Sequence, residues 1–535
     1  MLAFAIRLAL SFKGSIWADE GLVLNIVRIP SWHEMINFLA RHESHPPFFY
    51  LLMRAWGGIF GDGVSGGLAL TSLVGALVVP ATAWAAGMMA SARAAIVATV
   101  LVAFSPSLAE HASQLRPYGL LPVLSVISVA TLYTSLSGRA HRSWAAYAVA
   151  TTLLVYSHHW GWLVVGGHVI AGAWLVTRLD PGSRWEVARQ WAVAIAVIAV
   201  AYGFWMRPLL YQIGHTGHLP SLLEGAELVG YYFFAMLNLP NMFWGTYPPT
   251  LLPSVLIGAV AGLAMAALGR QNRLLSTVLD DNELRAKEHP FAGRFLLLAG
   301  VIPLTLALAV SPRSNMLLDR CVVAVVPMLL IAASVGVMRL HRIASEAAFA
   351  VIAFAVVAGS ANIVALAGSQ RSNARDVAAI LLREKQPGDF VIVVPEWIAP
   401  SFNHYFAASL PQMDFPNAGR SGLLDFAEYR DKVVDTAAFE RVASLARLTA
   451  ETDRRVWLVT ARRFLTQTDS LLPGLPPWIL PRAVSAVELG GVRERLADWH
   501  GPPDTTRKAD RRSVERYEEL VLLLFDKQQG RGTGR

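Results

Sequence analysis

A chain of 535 residues that is 54% hydrophobic and only 16% charged is too apolar for an ordinary soluble protein, where about a quarter of residues are charged. Its formal net charge of +8 would suggest nucleic acid in a soluble chain. Here much of that charge lies in short loops between apolar runs, where it orients helices in a bilayer and excludes nucleic acid as the natural partner.

The opening stretch, "MLAFAIRLALSFKG", has no small-residue cleavage motif after a full apolar core, so it reads as a helix and not as a signal peptide. It is short of the roughly 20 residues that cross a bilayer. An acidic pair, Asp19 and Glu20 in "WADE", follows directly. Next comes "HPPFFYLLMRAWGGIF", whose part from Pro47 to Phe60 is short and carries Arg54 with Trp56. That composition predicts an interfacial or re-entrant helix. The stretch 231–249 reads the same way. Apolar segments follow near 67–89, 94–109, 117–137, 144–159, 161–177, 190–210, 251–268, 295–310, 321–338 and 347–366. With the N-terminal helix these predict about eleven membrane helices. One cysteine, Cys321, lies in an apolar run, which rules out an intrachain disulfide and a cysteine-built metal site.

The basic loops fall between alternate pairs of segments: Arg93, then Arg139 and Arg142, then Arg178 to Arg189, then Arg270 to Arg294, then Arg339 and Arg342. The excess of positive charge on cytoplasmic loops places all five inside. Everything between them then faces outward, including "WADE", "SPSLAEHASQLRPY", "YSHHW", "SPRSNMLLDR" and the tail beyond residue 366. Reactive side chains collect on that face: Asp19, Glu20, His45, Glu110, His111, Arg116, Tyr118, His158, His159, Arg313, Asp319 and Arg320.

A carboxylate beside the membrane suits two tasks. It can take a proton from an acceptor hydroxyl as that oxygen attacks an anomeric carbon, or it can help hold a divalent cation. Arginines at the lipid boundary suit phosphate, which a guanidinium binds through paired hydrogen bonds. The set points to a lipid-linked donor with a phosphate leaving group. Plainer roles stand beside this one. Asp19 and Glu20 also suit the cap of an outer helix, His158 and His159 suit interfacial hydrogen bonding, and Arg313 and Arg320 suit lipid head groups. Arg116 ahead of Pro117 opens a helix and runs against the charge bias of that face, which favours a functional role.

In order and spacing, "RLALSFKGSIWADEG", "HPPFFYLLMRAW", "SPSLAEHASQLRPYGLL" and "YSHHWGWLV" resemble the GT-C superfamily of polytopic membrane glycosyltransferases. The branch is bacterial and family 39-like, related to the lipid A aminoarabinose and galacturonic acid transferases and to the protein O-mannosyltransferases. The resemblance spans most of residues 5–370. It implies a polyprenyl-phosphate sugar donor used on the outer side of the bacterial cytoplasmic membrane, with inversion, and a lipid, glycan or protein acceptor. Carried over, Asp19 is the general base and Glu20 its companion. Arg116, Tyr118, Arg320, His45 and His158 bind the donor and its phosphate; Arg313, on the same outer face, is read from its own chemistry as a further phosphate ligand. Asp19, Glu20 and His45 are the candidates for a divalent cation, the one cofactor considered. The chain departs from relatives at Gln114, where many have Glu, and at "GGLALTS", where many have Arg.

From about Arg371 the composition turns soluble. "NARDVAAILLREKQPGDFVIVVPEW" predicts a helix, a Pro-Gly turn and a buried strand. Strands are also predicted at 454–462 and 517–527, with a helix near 437–449. No Gly-rich dinucleotide fingerprint follows a strand. The expected organisation is a transmembrane domain over 1–370 with an outer loop at 15–66, and an extracytoplasmic α/β domain over 371–535. A lipid-linked sugar flippase or transporter is the alternative, but such proteins place ionisable residues in their helices and often repeat internally.

Overall fold

A computed structural model of the chain describes residues 1–137, 143–215, 291–314, 316–407, 410–420, 422–424, 436–465, 480–504 and 515–526. They fall into two compact units. The first draws on Met1–Phe12, His45–Leu209 and Leu228–Ala367, the second on Lys13–Ser44, Leu210–Glu227 and Gly368–Arg535. The stretch read from sequence as one outer loop, 15–66, is thus divided between units at Ser44 and His45.

The first unit is helical, because apolar runs in lipid must satisfy every backbone group within the segment. Its helices begin with α1 (Leu2–Ser11); α2 (Ala18–Val27) and α3 (Trp32–His42) belong to the other unit. Then come α4 (Phe48–Phe60), α5 (Val64–Ala76), α6 (Val78–Met89), α7 (Ala92–Ala103) and α8 (Pro106–Ala112). After a one-turn 3-10 helix at Pro117–Gly119 follow α9 (Leu120–Leu136), α10 (Ser143–Ser157), α11 (Gly161–Val176) and α12 (Pro181–His215). Among the described residues, helices Ala292–Ser314, Asp319–Val322, Val326–Ile343 and Ser345–Gly368 follow. Among the described residues, six helices are long and apolar enough to cross a membrane. A seventh is added if α7 and α8, bent by 59°, are one span. The expected segments 231–249 and 251–268 lie outside the described residues.

α9 is the central helix: 94% of its apolar window is buried, and it packs on α5, α6, α10 and α11. The expected continuous segment 94–109 is broken instead. Pro106 lacks an N–H and disfavours a helical Ser105 before it, so Ser105 is extended and its hydroxyl accepts the Leu108 N–H as a cap. Small residues let backbones meet. A Cβ on Gly75 of α5 would lie 2.2 Å from that of Ala112 in α8.

The second unit contains a four-stranded sheet in the order β3-β2-β4-β6, where β2 is Phe390–Val393, β3 Gln412–Asp414, β4 Val456–Ala461 and β6 Leu520–Phe525. β3 and β4 run parallel to β2, and β6 runs antiparallel to β4. β2 reads "FVIV" without alternation, as a strand covered on both faces does. Its core gathers Trp457, Phe402, Phe406 and Phe415, all fully buried. β1 (Gln370–Ser372) pairs with β5 (Glu515–Glu518); both are short and polar, without the apolar run that marks a strand in sequence. Helices Ala374–Glu384, Thr436–Glu451 and Leu480–His500 accompany the strands.

The N-terminal segment is woven into this unit. Ile16 N–H donates to the Tyr405 hydroxyl at 3.0 Å, and Arg375 N–H to the Ser15 hydroxyl at 3.1 Å. Trp17 stacks on Tyr517 with ring centroids 4.8 Å apart.

Candidate active site

In the first unit, basic side chains converge on one phenol. The loop between α8 and α9 holds Arg116 extended ahead of Pro117, which opens the 3-10 turn carrying Tyr118. A residue before proline is steered to that conformation. Tyr118 is buried, and the guanidinium carbons of Arg116 and Arg320 lie 5.8 and 5.9 Å from its ring centre. Three imidazoles surround the same ring: His158 at 5.9 Å, His111 at 6.1 Å and His45 at 6.5 Å between centroids. His45 comes from the His-Pro-Pro turn before α4, His158 from the turn between α10 and α11.

His45 and His158 face each other at 4.9 Å, and Arg116 Nη2 lies 3.4 Å from His45 Nε2. Trp160 N–H donates to His158 Nδ1 at 3.0 Å, which leaves the proton of a neutral His158 on Nε2. That nitrogen is 3.9 Å from Cys321 Sγ. Trp160 is itself anchored, its indole N–H donating to the Met316 carbonyl at 2.9 Å. Burial, and then the charges of Arg116, His159 and Arg320, hold His45 well below the usual histidine range. Burial is also the main cause for His158, followed by His45, His159, Arg116 and Arg320. Two permanent cations beside two neutral imidazoles favour an anion.

His111 and Asp319 extend the cluster. His111 Nε2 lies 3.9 Å from Asp319 Oδ2, and Asp319 Oδ1 accepts the Arg320 N–H at 2.7 Å. Gln114 lies with Nε2 3.5 Å from His111 Nδ1. Arg116 also lines a small crevice together with Phe49, Leu52, Leu70, Thr71 and Val74.

Asp19 and Glu20 sit in the second unit, in the first turn of α2. Glu20 is fully buried. Its Oε2 accepts the Trp17 N–H at 3.2 Å, closing the helix end, and its Oε1 lies 3.5 Å from Arg371 Nη1. The capping role read as an alternative from sequence therefore describes Glu20. Asp19 is only partly buried. Of the residues singled out from sequence, His45, Arg116, Tyr118, His158 and Arg320 are brought together in the first unit, while Asp19 and Glu20 belong to the second. The Arg313 side chain lies outside the described residues.

Two of the three candidate cation ligands, Glu20 and His45, are already engaged. Both oxygens of Glu20 already face an N–H or a guanidinium, and His45 abuts the Arg116 guanidinium. Among the described residues no three His, Cys, Asp or Glu side chains converge as a metal site would require. Sequence reasoning passed over Arg371, which was read as the start of the soluble tail, and Cys321, which was read as a span residue. Only the fold puts them beside Glu20 and His158.

No family model and no curated protein sequence matches the chain. Solved structures do match it. ArnT from Cupriavidus metallidurans bound to undecaprenyl phosphate gives a TM-score of 0.52 at 12% identity, over 98% of this chain and 96% of that one. The apo state of the same protein gives 0.50 at 15% identity, over 98% and 97%. The archaeal oligosaccharyltransferase AglB from Archaeoglobus fulgidus, in complex with an inhibitory peptide and a dolichol-phosphate, gives 0.45 at 15% identity, over 86% and 68%. At such identities the ArnT matches show the fold alone, that of a polytopic helical membrane protein.

Proposed function

From this fold and the cluster around Tyr118, we propose that the protein is a glycosyltransferase of the bacterial cytoplasmic membrane. It transfers a sugar from a polyprenyl-phosphate donor to a hydroxyl of an envelope lipid, glycan or protein, with inversion. About eleven helices cross the membrane, and both the site and the α/β unit face outward. The arginine and histidine cluster carries the reading, since it offers hydrogen-bond donors and positive charge to a leaving phosphate.

In the proposed step Asp19 accepts the proton of the acceptor hydroxyl, whose oxygen forms a bond to the anomeric carbon. The bond from that carbon to the phosphate oxygen breaks, and its electron pair leaves on the lipid phosphate. Arg116 and Arg320 stabilise the charge that develops there. His45 and His158, as neutral donors, position the phosphate, and Tyr118 sets the spacing of the two guanidinium groups. Arg313 is assigned to the same phosphate from its outer-face position in the sequence. Proton abstraction by a placed carboxylate is worth roughly 10²–10⁴ in rate. Asp19→Asn should therefore lower turnover by about that factor with the donor KM little changed. A purified, folded Asp19→Asn variant as active as the wild type would remove the assignment. The flippase reading leaves an outward-facing carboxylate without a task, and no specific observation favours it.

A further inference from the structure

Arg371 belongs to β1, far along the chain from the acidic pair, yet its guanidinium is buried against Glu20 with 3.5 Å between Nη1 and Oε1. Glu20 spends its other oxygen on the N–H of Trp17, the residue that opens α2. Three further contacts converge on the same few residues. Ser372 accepts the Ser15 N–H at 3.4 Å, Tyr405 accepts that of Ile16, and Tyr517 stacks on Trp17. Gly21, one residue past Glu20, runs so close to Pro400 that a Cβ would meet its carbonyl oxygen at 2.6 Å. The turn that presents Asp19 is thus held by partners drawn from residues 371–517 on every side.

We infer that Arg371 is a positioning residue for Asp19. It neutralises and orients Glu20, Glu20 closes the first turn of α2, and that turn sets the direction in which the Asp19 carboxylate leaves the helix. The α/β unit is then part of the catalytic apparatus and not an appended binding module. This rests on the reading of Asp19 as the base, but its structural half stands without it. A misplacement of about 1 Å by a change outside the reacting groups costs on the order of 10²-fold in rate.

The test uses the full-length protein in lipid nanodiscs with four variants: Arg371→Met, Arg371→Lys, Glu20→Gln and the double Arg371→Met/Glu20→Gln. Amide hydrogen exchange over residues 17–24 needs no substrate. It should rise about tenfold or more in Arg371→Met and return towards the wild-type rate in Arg371→Lys, with exchange in α9 unchanged. The second readout is transfer from the radiolabelled polyprenyl-phosphate sugar fraction of the source membranes. Arg371→Met should lower kcat by about 10–100-fold with the donor KM within about twofold, Lys should restore most of it, and the double variant should be no worse than the poorer single one. Unchanged exchange over 17–24 overturns the inference whatever the activity, and so does a multiplicative loss in the double variant. An inactive wild type with the exchange pattern intact overturns the transferase reading alone.

Discussion

Arg116, two residues before Tyr118, and Arg320, far along the chain, both reach the Tyr118 ring. A charge-assisted hydrogen bond to phosphate contributes about 1.5–3 kcal/mol, and about 1.4 kcal/mol is tenfold in affinity. Arg116→Met should therefore lower kcat/KM for the donor by roughly 10–100-fold, and titration of transfer against polyprenyl-phosphate sugar would measure it. The neighbouring histidines make stability depend on pH. His45 and His158 are held below their usual range by burial first and by adjacent cations after it, whereas in an unfolded chain each titrates near 6.5. Below that pH the unfolded state binds more protons, so stability present above about pH 6.5 is lost as the pH falls. Thermal unfolding in detergent should show a falling midpoint between about pH 6.5 and 5. Replacing His45 and His158 by Gln should flatten that slope.

At the scale of elements, local chemistry explains where helices start and bend. Ser105 and Pro106 end one helix and cap the next, which turns the chain by 59° and directs α8 towards the loop that carries Arg116. Gly75 lets α5 touch α8 at that point. Gly75→Val would force two helices apart, and overpacking of that kind costs about 1–3 kcal/mol. A lowered thermal midpoint would register it, with the largest functional effect on donor KM because Arg116 follows directly. Some of this is readable without a fold: the Pro-Tyr turn, the His-Pro-Pro turn and the apolar runs announce themselves. The break at Ser105 was readable in principle from its proline, but an apolar run of that length hid it.

For the molecule as a whole, the distribution of residues 13–44 matters most. They group with the α/β unit, through Ser15, Ile16, Trp17 and Gly21. Deleting residues 371–535 should therefore release the segment carrying Asp19 as well as removing a tail. Limited proteolysis of the truncated protein should cut within 13–44, and transfer should be abolished, whereas a detachable module would leave that segment protected. Such a deletion thus cannot separate an acceptor-binding role of the tail from a catalytic one, and point substitutions such as Arg371→Met are the sharper tool.

What the sequence determined by itself was the class and the inventory. Apolar runs long enough for a bilayer declare themselves through composition, and motifs such as His-Pro-Pro and Arg-Pro-Tyr carry local backbone constraints that act over a few residues. Which of those residues meet is a different matter. His45, Arg116, His158 and Arg320 are separated by tens to hundreds of positions, and nothing local couples them. The Arg-Pro-Tyr turn places Arg116 beside Tyr118, but tertiary packing brought His45, His158 and Arg320 to the same ring and paired Glu20 with Arg371. It also gave Asp19 and Glu20, adjacent in the chain, different surroundings, because burial and partnership depend on which elements pack together and not on neighbours along the backbone.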